Sequence, residues 1–338
     1  MMKTAPMARH ALAAAALALC LPAAQASTSA YDAMIASGHT QEGIFPRIVI
    51  RDDVGLAGSA SYAANPSFAG VVGLGWSGGQ YCSGVLIAPT TVLSARHCAP
   101  APGEFARFGT DFNSPVFSAN IQSVLYPGGG TPGSPLLDGG DVAIITLASA
   151  VPGSVATPYL LSAETTELVG FTVATIGYGA SGIGSTGTTR SDDIRRGGTN
   201  VLDFYGAGVR SSGTISGTAN IFSTDFDNPA GTSNTLGWLG SSVTALPLEA
   251  TTASGDSGGP LLVASGSQWI VLGVLSGGTT NTSIYGDISW WTGVAPYRTQ
   301  IEAAGGVFTN VIPEPGTYAL MLLGVAAIGA RLRRSRAA

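Results

Sequence analysis

Lysine occurs once in this 338-residue chain, at Lys3, and histidine three times, at His10, His39 and His97. Charged residues are 10% of the whole, too few and too scattered for the basic face that nucleic-acid binding needs. Cysteine also occurs three times, at Cys20, Cys82 and Cys98, which excludes a densely cross-linked scaffold and leaves too few ligands for a thiolate-rich metal centre. Apolar residues spaced at helical intervals are scarce, so a helical bundle is excluded as well. Glycine is plentiful instead, with 48 residues, and short apolar runs alternate with Gly, Ser, Thr and Pro clusters.

The two ends differ from the rest. Residues 1–26 carry Lys3 and Arg9, an apolar run from Ala11 to Leu21, and the small-residue site Ala24-Gln25-Ala26. This is the layout of a secretory signal peptide. Bulky Leu19 before Cys20 argues against a lipoprotein signal. At the other end stand Val311-Ile312-Pro313-Glu314-Pro315-Gly316, an apolar run from Thr317 to Ala330, and Arg331, Arg333, Arg334 and Arg336. As a helix that run rises about 21 Å, short of the ~30 Å hydrocarbon core, and the arginines would hold its end in the cytoplasm. The tripartite layout resembles the PEP-CTERM sorting tail of exported Gram-negative bacterial proteins. That resemblance implies a transient inner-membrane anchor removed by an exosortase; the other reading is a plain C-terminal anchor.

Removing residues 1–26 and 313–338 takes away six of fifteen basic residues and one of twenty acids. Nine basic and nineteen acidic residues remain, a net charge of −10 with no lysine. Such a surface favours solubility outside the cell. Two cysteines remain in an exported chain, so one bridge between Cys82 and Cys98 is expected. A loop of that size stabilises by roughly 3 kcal/mol in the chain-entropy picture.

Runs at Phe68–Trp76, Cys82–Ile87, Thr91–Ala95, Val116–Leu125, Val142–Leu147, Phe171–Gly177, Gln268–Leu275 and Thr282–Ile288 have the length and punctuation of strands. The fold class is therefore all-β, an antiparallel barrel or sandwich. Pro296–Ala304 reads as one short closing helix. Residues 180–240, rich in Gly, Ser, Thr and Asn, read as long surface loops or turn repeats.

Thr251-Thr252-Ala253-Ser254-Gly255-Asp256-Ser257-Gly258-Gly259-Pro260 offers Ser257 as a nucleophile in a glycine-flanked loop whose N–H groups can converge on an oxyanion. A serine needs a base, most often histidine. His10 leaves with the signal, and His39 lies in a polar segment. His97 follows the apolar run Val92-Leu93-Ser94-Ala95 and precedes Cys98, so a bridge to Cys82 would hold it rigidly. The imidazole needs an orienting carboxylate. Asp141 opens the apolar run Val142-Ala143-Ile144-Ile145, where burial makes an acid costly unless paired; Asp138 and Asp111 lie in loops that water can reach. Gly255-Asp256-Ser257-Gly258-Gly259 also satisfies Gly-x-Ser-x-Gly, but an α/β-hydrolase needs its histidine after its serine. No histidine follows Ser257.

Ser94-Ala95-Arg96-His97-Cys98, Asp141-Val142-Ala143-Ile144 and Gly255-Asp256-Ser257-Gly258-Gly259-Pro260 resemble, in this order, the three signature blocks of trypsin-like serine proteases. The resemblance covers about residues 45–305. It implies a double antiparallel β-barrel of the chymotrypsin type, with a short C-terminal helix and the site in the cleft between barrels. It further implies Ser257 as nucleophile, His97 as base and then acid, Asp141 as orienting carboxylate, and the Gly255 and Ser257 N–H groups as oxyanion hole. Several residues depart from the pattern. Arg96 stands where a small residue is usual, so it either points to solvent or pairs with a nearby acid. Thr251 stands where relatives that cut after Lys or Arg carry aspartate. Ser276-Gly277-Gly278 resembles the segment lining the substrate pocket, with Gly277 for the usual aromatic, so an uncharged pocket is expected. Ala253 replaces a cysteine that many relatives bridge to the pocket rim. Arg47-Ile48-Val49 resembles an activation cleavage point whose freed Ile48 ammonium would pair with Asp256; the other reading is a hydrophobic edge strand.

The expected organisation is a signal peptide (1–26), a leader or propeptide (27–44), a protease domain (45–305), a linker (306–312) and the sorting segment (313–338). The expected activity is peptide-bond hydrolysis through an acyl-enzyme. A weakly active surface or matrix binding protein on the same scaffold, or a serine esterase, are the rivals. Expected partners are a protein or peptide substrate, the export machinery and an exosortase-type enzyme, with no nucleic acid. The expected location is periplasmic, cell-surface or extracellular. No cofactor is expected: Gly182-Ile183-Gly184-Ser185-Thr186-Gly187 mimics a dinucleotide fingerprint, but no helix pattern follows it. No metal is expected either, since one histidine and two bridged cysteines cannot hold one.

Overall fold

A computed structural model describes residues 47–129, 136–210, 213, 215–280 and 282–311. The signal peptide, the leader and the sorting segment lie outside the described residues. Six strands, Val71–Trp76, Gly79–Ala88, Thr91–Ser94, Ala143–Leu147, Phe117–Leu125 and Phe105–Phe108, close into a barrel in that neighbour order. Successive residues of a strand face opposite ways; both faces are covered in Val71–Trp76, Gly79–Ala88, Thr91–Ser94 and Ala143–Leu147, whereas Phe105–Phe108 and Phe117–Leu125 leave one face partly or fully exposed. Val72, Leu74, Val92, Ile145 and Leu147 fill the barrel interior, while Val71, Val85, Leu93, Val142 and Ile144 join a second cluster. That cluster also takes Ala174, Ile176, Leu262, Val271 and Val274 from strands of the second sheet. Burial on both faces is why Val142–Ile145 reads as an unbroken apolar run.

The second sheet has nine strands. Its main path runs Arg196–Val201, Thr172–Gly177, Pro260–Ser265, Gln268–Gly278, Ile288–Gly293, Ile215–Asp225 and Phe204–Val209. Leu160–Ser162 pairs with Gln268–Gly278 and with Phe308–Thr309. A smaller sheet orders Gly187–Arg190, Ser181–Ile183, Arg47–Ile50 and Ala250–Ala253. The helix Arg298–Ala303 closes the fold, inside the expected span. The architecture is mostly strand with one closed barrel, consistent with the chymotrypsin-type double barrel.

Four expectations need correction. Residues 180–240 carry five strands rather than loops alone, because their Ser, Thr and Asn side chains sit in ladders between Ser181–Ile183 and Ile215–Asp225. A helix at Gly55–Ala63 had no signal in the chain: its small residues bring its backbone close to Arg196–Val201, where Ser59 Oγ donates to the Gly197 carbonyl at 2.7 Å. Thr282–Ile288 is a turn, and the strand begins at Ile288. Residues 306–311 of the expected linker are part of the folded body, with Phe308–Thr309 in the sheet and Val311 buried. Among the described residues no helix is long and apolar enough to cross a membrane; Thr317–Ala330 lies outside them.

Candidate active site

The strand Thr91–Ser94 ends against a one-turn 3₁₀ helix, Arg96–Cys98, and Ala99 leaves it with φ +48. Cys98 is bonded to Cys82 on the neighbouring strand, with Cα atoms 6.2 Å apart, within the normal range for a disulfide. His97 sits between these two anchors. Its Nδ1 lies 2.7 Å from Asp141 Oδ2, and its backbone N–H donates to Asp141 Oδ1 at 2.8 Å. Asp141 is fully buried and the His97 side chain is 10% exposed. The carboxylate thus spends both oxygens on one residue, which sets ring orientation and makes Nδ1 the proton-bearing nitrogen.

Ser257 is brought alongside by the same turn. Its carbonyl oxygen is 3.6 Å from Cys98 Sγ, a contact and not a hydrogen bond, because a disulfide sulfur has no proton. The Ser83 N–H donates to that carbonyl at 2.8 Å. Both hydrogen bonds that His97 makes among the described residues go to Asp141, and none joins it to Ser257. Gly258, with φ +78, tolerates no side chain: a Cβ there would stand 2.1 Å from Ser94 Oγ and 2.5 Å from the Ser83 carbonyl oxygen. That close approach is what the glycine after Ser257 provides.

The loop before Ser257 is held at every carbonyl. Ser254 C=O accepts from Ala180 N–H at 2.7 Å, and Asp256 C=O accepts from Gly259 N–H at 2.7 Å. In a trans peptide the N–H points opposite to the C=O. The Gly255 and Ser257 N–H groups therefore face away from these anchors, and neither has an acceptor among the described residues. The Gly255 carbonyl is fixed by Gln80 Nε2 at 2.7 Å and Ser83 Oγ at 2.9 Å. Asp256 points inward, where its carboxylate accepts from Gly179 N–H and Ala253 N–H, each at 2.8 Å. Complete burial pushes its pKa well above the ordinary carboxylate range.

Arg47–Ile50 is a strand paired on both sides, with Ile48 opposite Thr252 and Ser181. It is not the edge strand that was one of the two expected readings. Arg96 does not point to solvent: it is buried, and its Nη2 lies 2.6 Å from Asp138 Oδ2.

The strand that leads into the loop of Ser257 borders a recess too constricted to admit a water molecule. Thr251 and Gly278 line it. Ser276 and Gly277 do not: Ser276 is fully buried with its Oγ 2.8 Å from Thr292 Oγ1, and Gly277 pairs with Trp290. Thr252, Ser283, Asp287 and Ser289 also line the recess, and Ser283 and Asp287 reach it from the turn that stands where a strand was expected. Ser289 Oγ lies 2.9 Å from Thr251 Oγ1 and 2.8 Å from Thr252 Oγ1. The lining includes one acid, Asp287. Asp287 is nevertheless occupied, accepting from Thr280 Oγ1 at 2.5 Å and Ile284 N–H at 3.1 Å. Burial raises its pKa.

Cys82, His97 and Cys98 place their ligand atoms within 4.8 Å of one another. Both sulfurs are spent in the disulfide, so no thiolate is available to a metal. A protein-family model described as Trypsin matches residues 58–301, and a second, described as the PEP-CTERM protein-sorting motif, matches residues 311–336.

Proposed function

Because this chain belongs to the trypsin family, whose model spans well over half of it, we propose that it hydrolyses peptide bonds with Ser257 as nucleophile, His97 as base and Asp141 as orienting carboxylate. The sorting motif marks it as exported. The observation that carries this reading is the buried Asp141 carboxylate 2.7 Å from His97 Nδ1, with Ser257 on the same turn-to-turn contact.

With Nδ1–H held by Asp141, the free Nε2 of His97 is the ring's acceptor. It takes the Ser257 hydroxyl proton as Oγ attacks the substrate carbonyl. A rotation of the serine side chain brings the two together, in line with the loosening of such contacts in the absence of substrate. The Gly255 and Ser257 N–H groups then receive the oxyanion, each worth about 3 kcal/mol in the transition state. His97 returns the proton to the leaving amine, and an acyl-enzyme remains on Ser257. Water, deprotonated by the same imidazole, releases the acid product.

A recess this closed favours, on the acyl side of the cleaved bond, an uncharged residue small enough not to enter it. Its floor is closed by hydroxyls bonded to one another, and its one carboxylate already serves Thr280 and Ile284. After export, removal of the tail by an exosortase-type enzyme would leave the protease at the cell surface or beyond it.

The reading is tested by incubating the exported protein with a fluorophosphonate probe and a peptide ester. Labelling and turnover by the wild type, both lost in Ser257→Ala, are expected. Correctly processed wild type that takes no label would instead favour a binding protein on a protease scaffold. Turnover of simple esters without any cleavage of peptides would favour an esterase.

A further inference from the structure

Two adjacent residues of one turn grip two residues of one loop. His97 holds Asp141, and Arg96 beside it holds Asp138, three residues upstream of Asp141. The guanidinium is buried and forked: Nη2 meets Asp138 Oδ2 at 2.6 Å, and Nη1 donates to the Gly129 carbonyl at 2.9 Å. The other oxygen of Asp138 accepts from Gly140 N–H at 2.8 Å, so the carboxylate ties the arginine to the peptide directly before Asp141. The fit is close, since a Cβ at Gly140 would lie 3.1 Å from Arg96 Nη1. The loop is also held from the second sheet and from the 3₁₀ turn Ala295–Tyr297 that leads into the closing helix. The Gly139 carbonyl accepts from Asn220 Nδ2 at 3.0 Å and Tyr297 Oη at 2.6 Å.

Burying a guanidinium is costly unless it is paired, and leaving one partner alone costs more than the pair gains. A surface ornament would not be built this way. Each carboxylate on the loop has a partner in the Arg96–His97 turn, so the loop cannot shift along the turn without breaking both contacts. We propose that Arg96, through its ion pair with Asp138, is a positioning residue that sets the angle and distance at which Asp141 meets His97. This rests on the reading of His97, Asp141 and Ser257 as a catalytic set. It differs from that reading in that Arg96 and Asp138 touch neither substrate nor the reacting atoms.

The test compares Arg96→Ala, Arg96→Lys, Asp138→Asn and the double variant Arg96→Ala/Asp138→Ala in the processed exported protein. Three readouts are taken: kcat and KM on a peptide ester, the melting temperature, and the downfield proton resonance of the His97 Nδ1–H···Asp141 bond. In Arg96→Ala, kcat should fall on the order of ten- to a hundredfold with KM within about twofold, because small misplacements at the reacting centre act on the transition state. Its resonance should shift or broaden. Arg96→Lys should recover only part of the loss, since a point charge cannot serve Asp138 and the Gly129 carbonyl with one planar fork. The double variant should lose no more than the worse single variant, as expected for two residues acting as one unit.

Unchanged kcat and an unchanged resonance in the presence of a lowered melting temperature would overturn the proposal, leaving a merely structural ion pair. A kcat loss with the resonance in place would also overturn it. Should Arg96→Ala fail to fold, Asp138→Asn decides the matter, because its side chain is 33% exposed and keeps one amide oxygen for Gly140. Failure of the catalytic reading itself is recognised separately, by wild type and Ser257→Ala behaving alike; the resonance still reports on positioning in that case.

Discussion

One hydroxyl helps to close the recess lined by Thr251 and Thr252. Ser289 Oγ lies within 2.9 Å of both Thr251 Oγ1 and Thr252 Oγ1, and it accepts from the Thr252 N–H at 3.3 Å. Removing it with Ser289→Gly deletes the plug while the strand pairing of Gly278 with position 289 is kept. The expected outcome is a shift in preference from small toward larger apolar side chains on the acyl side of the cut. One methylene in such a pocket is worth about 10- to 200-fold in discrimination, so the ratio of kcat/KM for Phe against Ala should rise at least tenfold. A library of peptide esters varied at that residue measures it. Asp287→Asn serves as the companion variant: since the carboxylate is committed to the 280–284 turn, the preference should stay with small side chains. A wild-type enzyme that prefers Lys or Arg there, and loses this preference in Asp287→Asn, would show that the acid faces the substrate instead.

At the scale of elements, the strand Arg47–Ile50 bears on activation. It lies between Ser181–Ile183 and Ala250–Ala253, in register with the strand that runs into the nucleophile loop. The Arg47–Ile48 bond is thus part of a ladder, and Asp256 is already satisfied by two backbone N–H groups with no ammonium. The carbonyls of Ser254, Gly255 and Asp256 are all hydrogen-bonded with Arg47–Ile50 in this ladder. The expected outcome is an active enzyme whose N-terminus lies upstream of Ile48, read by mass spectrometry of protein labelled at Ser257. Finding Ile48 as the first residue of every labelled molecule would sink this expectation and restore activation by cleavage.

The candidate site residues stood out in the chain because their chemistry constrains residue type and surroundings together. His97 stands at the end of an apolar strand beside a cysteine, Asp141 at the mouth of another, and Ser257 directly before Gly258, where a side chain would meet backbone. What could not be read depends on contacts distant in sequence. Arg96 needed some acid, but its choice of Asp138 follows from a loop fold 42 residues away. Thr282–Ile288 has the length and β-favouring residues of a short strand, yet Asp287 draws Thr280, Thr279 and Ile284 into a turn around its carboxylate, with Ser283 at φ +56. The helix Gly55–Ala63 has no capping side chain and a run of Gly, Ala and Ser, so tertiary packing against Arg196–Val201 overrides a weak local preference.

Across the whole molecule, the acidic balance continues into the interior. Asp203, Asp225, Asp227 and Glu249 are all buried and gather where Ile215–Asp225 runs into the loop before Ala250. Burial, with neighbouring carboxylates adding to it, pushes Asp203 up to about 9, Asp227 to about 7 and Glu249 to about 8. Asp225 is raised as well, chiefly by burial. Asp225 N–H donates to Asp203 Oδ2 at 3.0 Å, but Asp227 Oδ1 has no partner among the described residues. In the unfolded chain these groups ionise near pH 4. Between that pH and the raised values the folded state holds more protons than the unfolded one, so stability falls as pH rises. The stabilising contribution is complete below about pH 4 and is lost progressively as pH rises through 7, 8 and 9. The melting temperature of Ser257→Ala, a background free of self-cleavage, should therefore be higher at pH 5 than at pH 9, with protons released on unfolding in between. Adding Asp227→Asn removes one of the charges that must form in a buried place, so it should raise the melting temperature more at pH 9 than at pH 5 and flatten the slope. Calorimetry at pH 5, 7 and 9 in buffers of different ionisation enthalpy measures both quantities. A melting temperature that rises toward pH 9, or unfolding without proton release at pH 7, would mean that these carboxylates are ionised in the folded protein and that a cation shares their site.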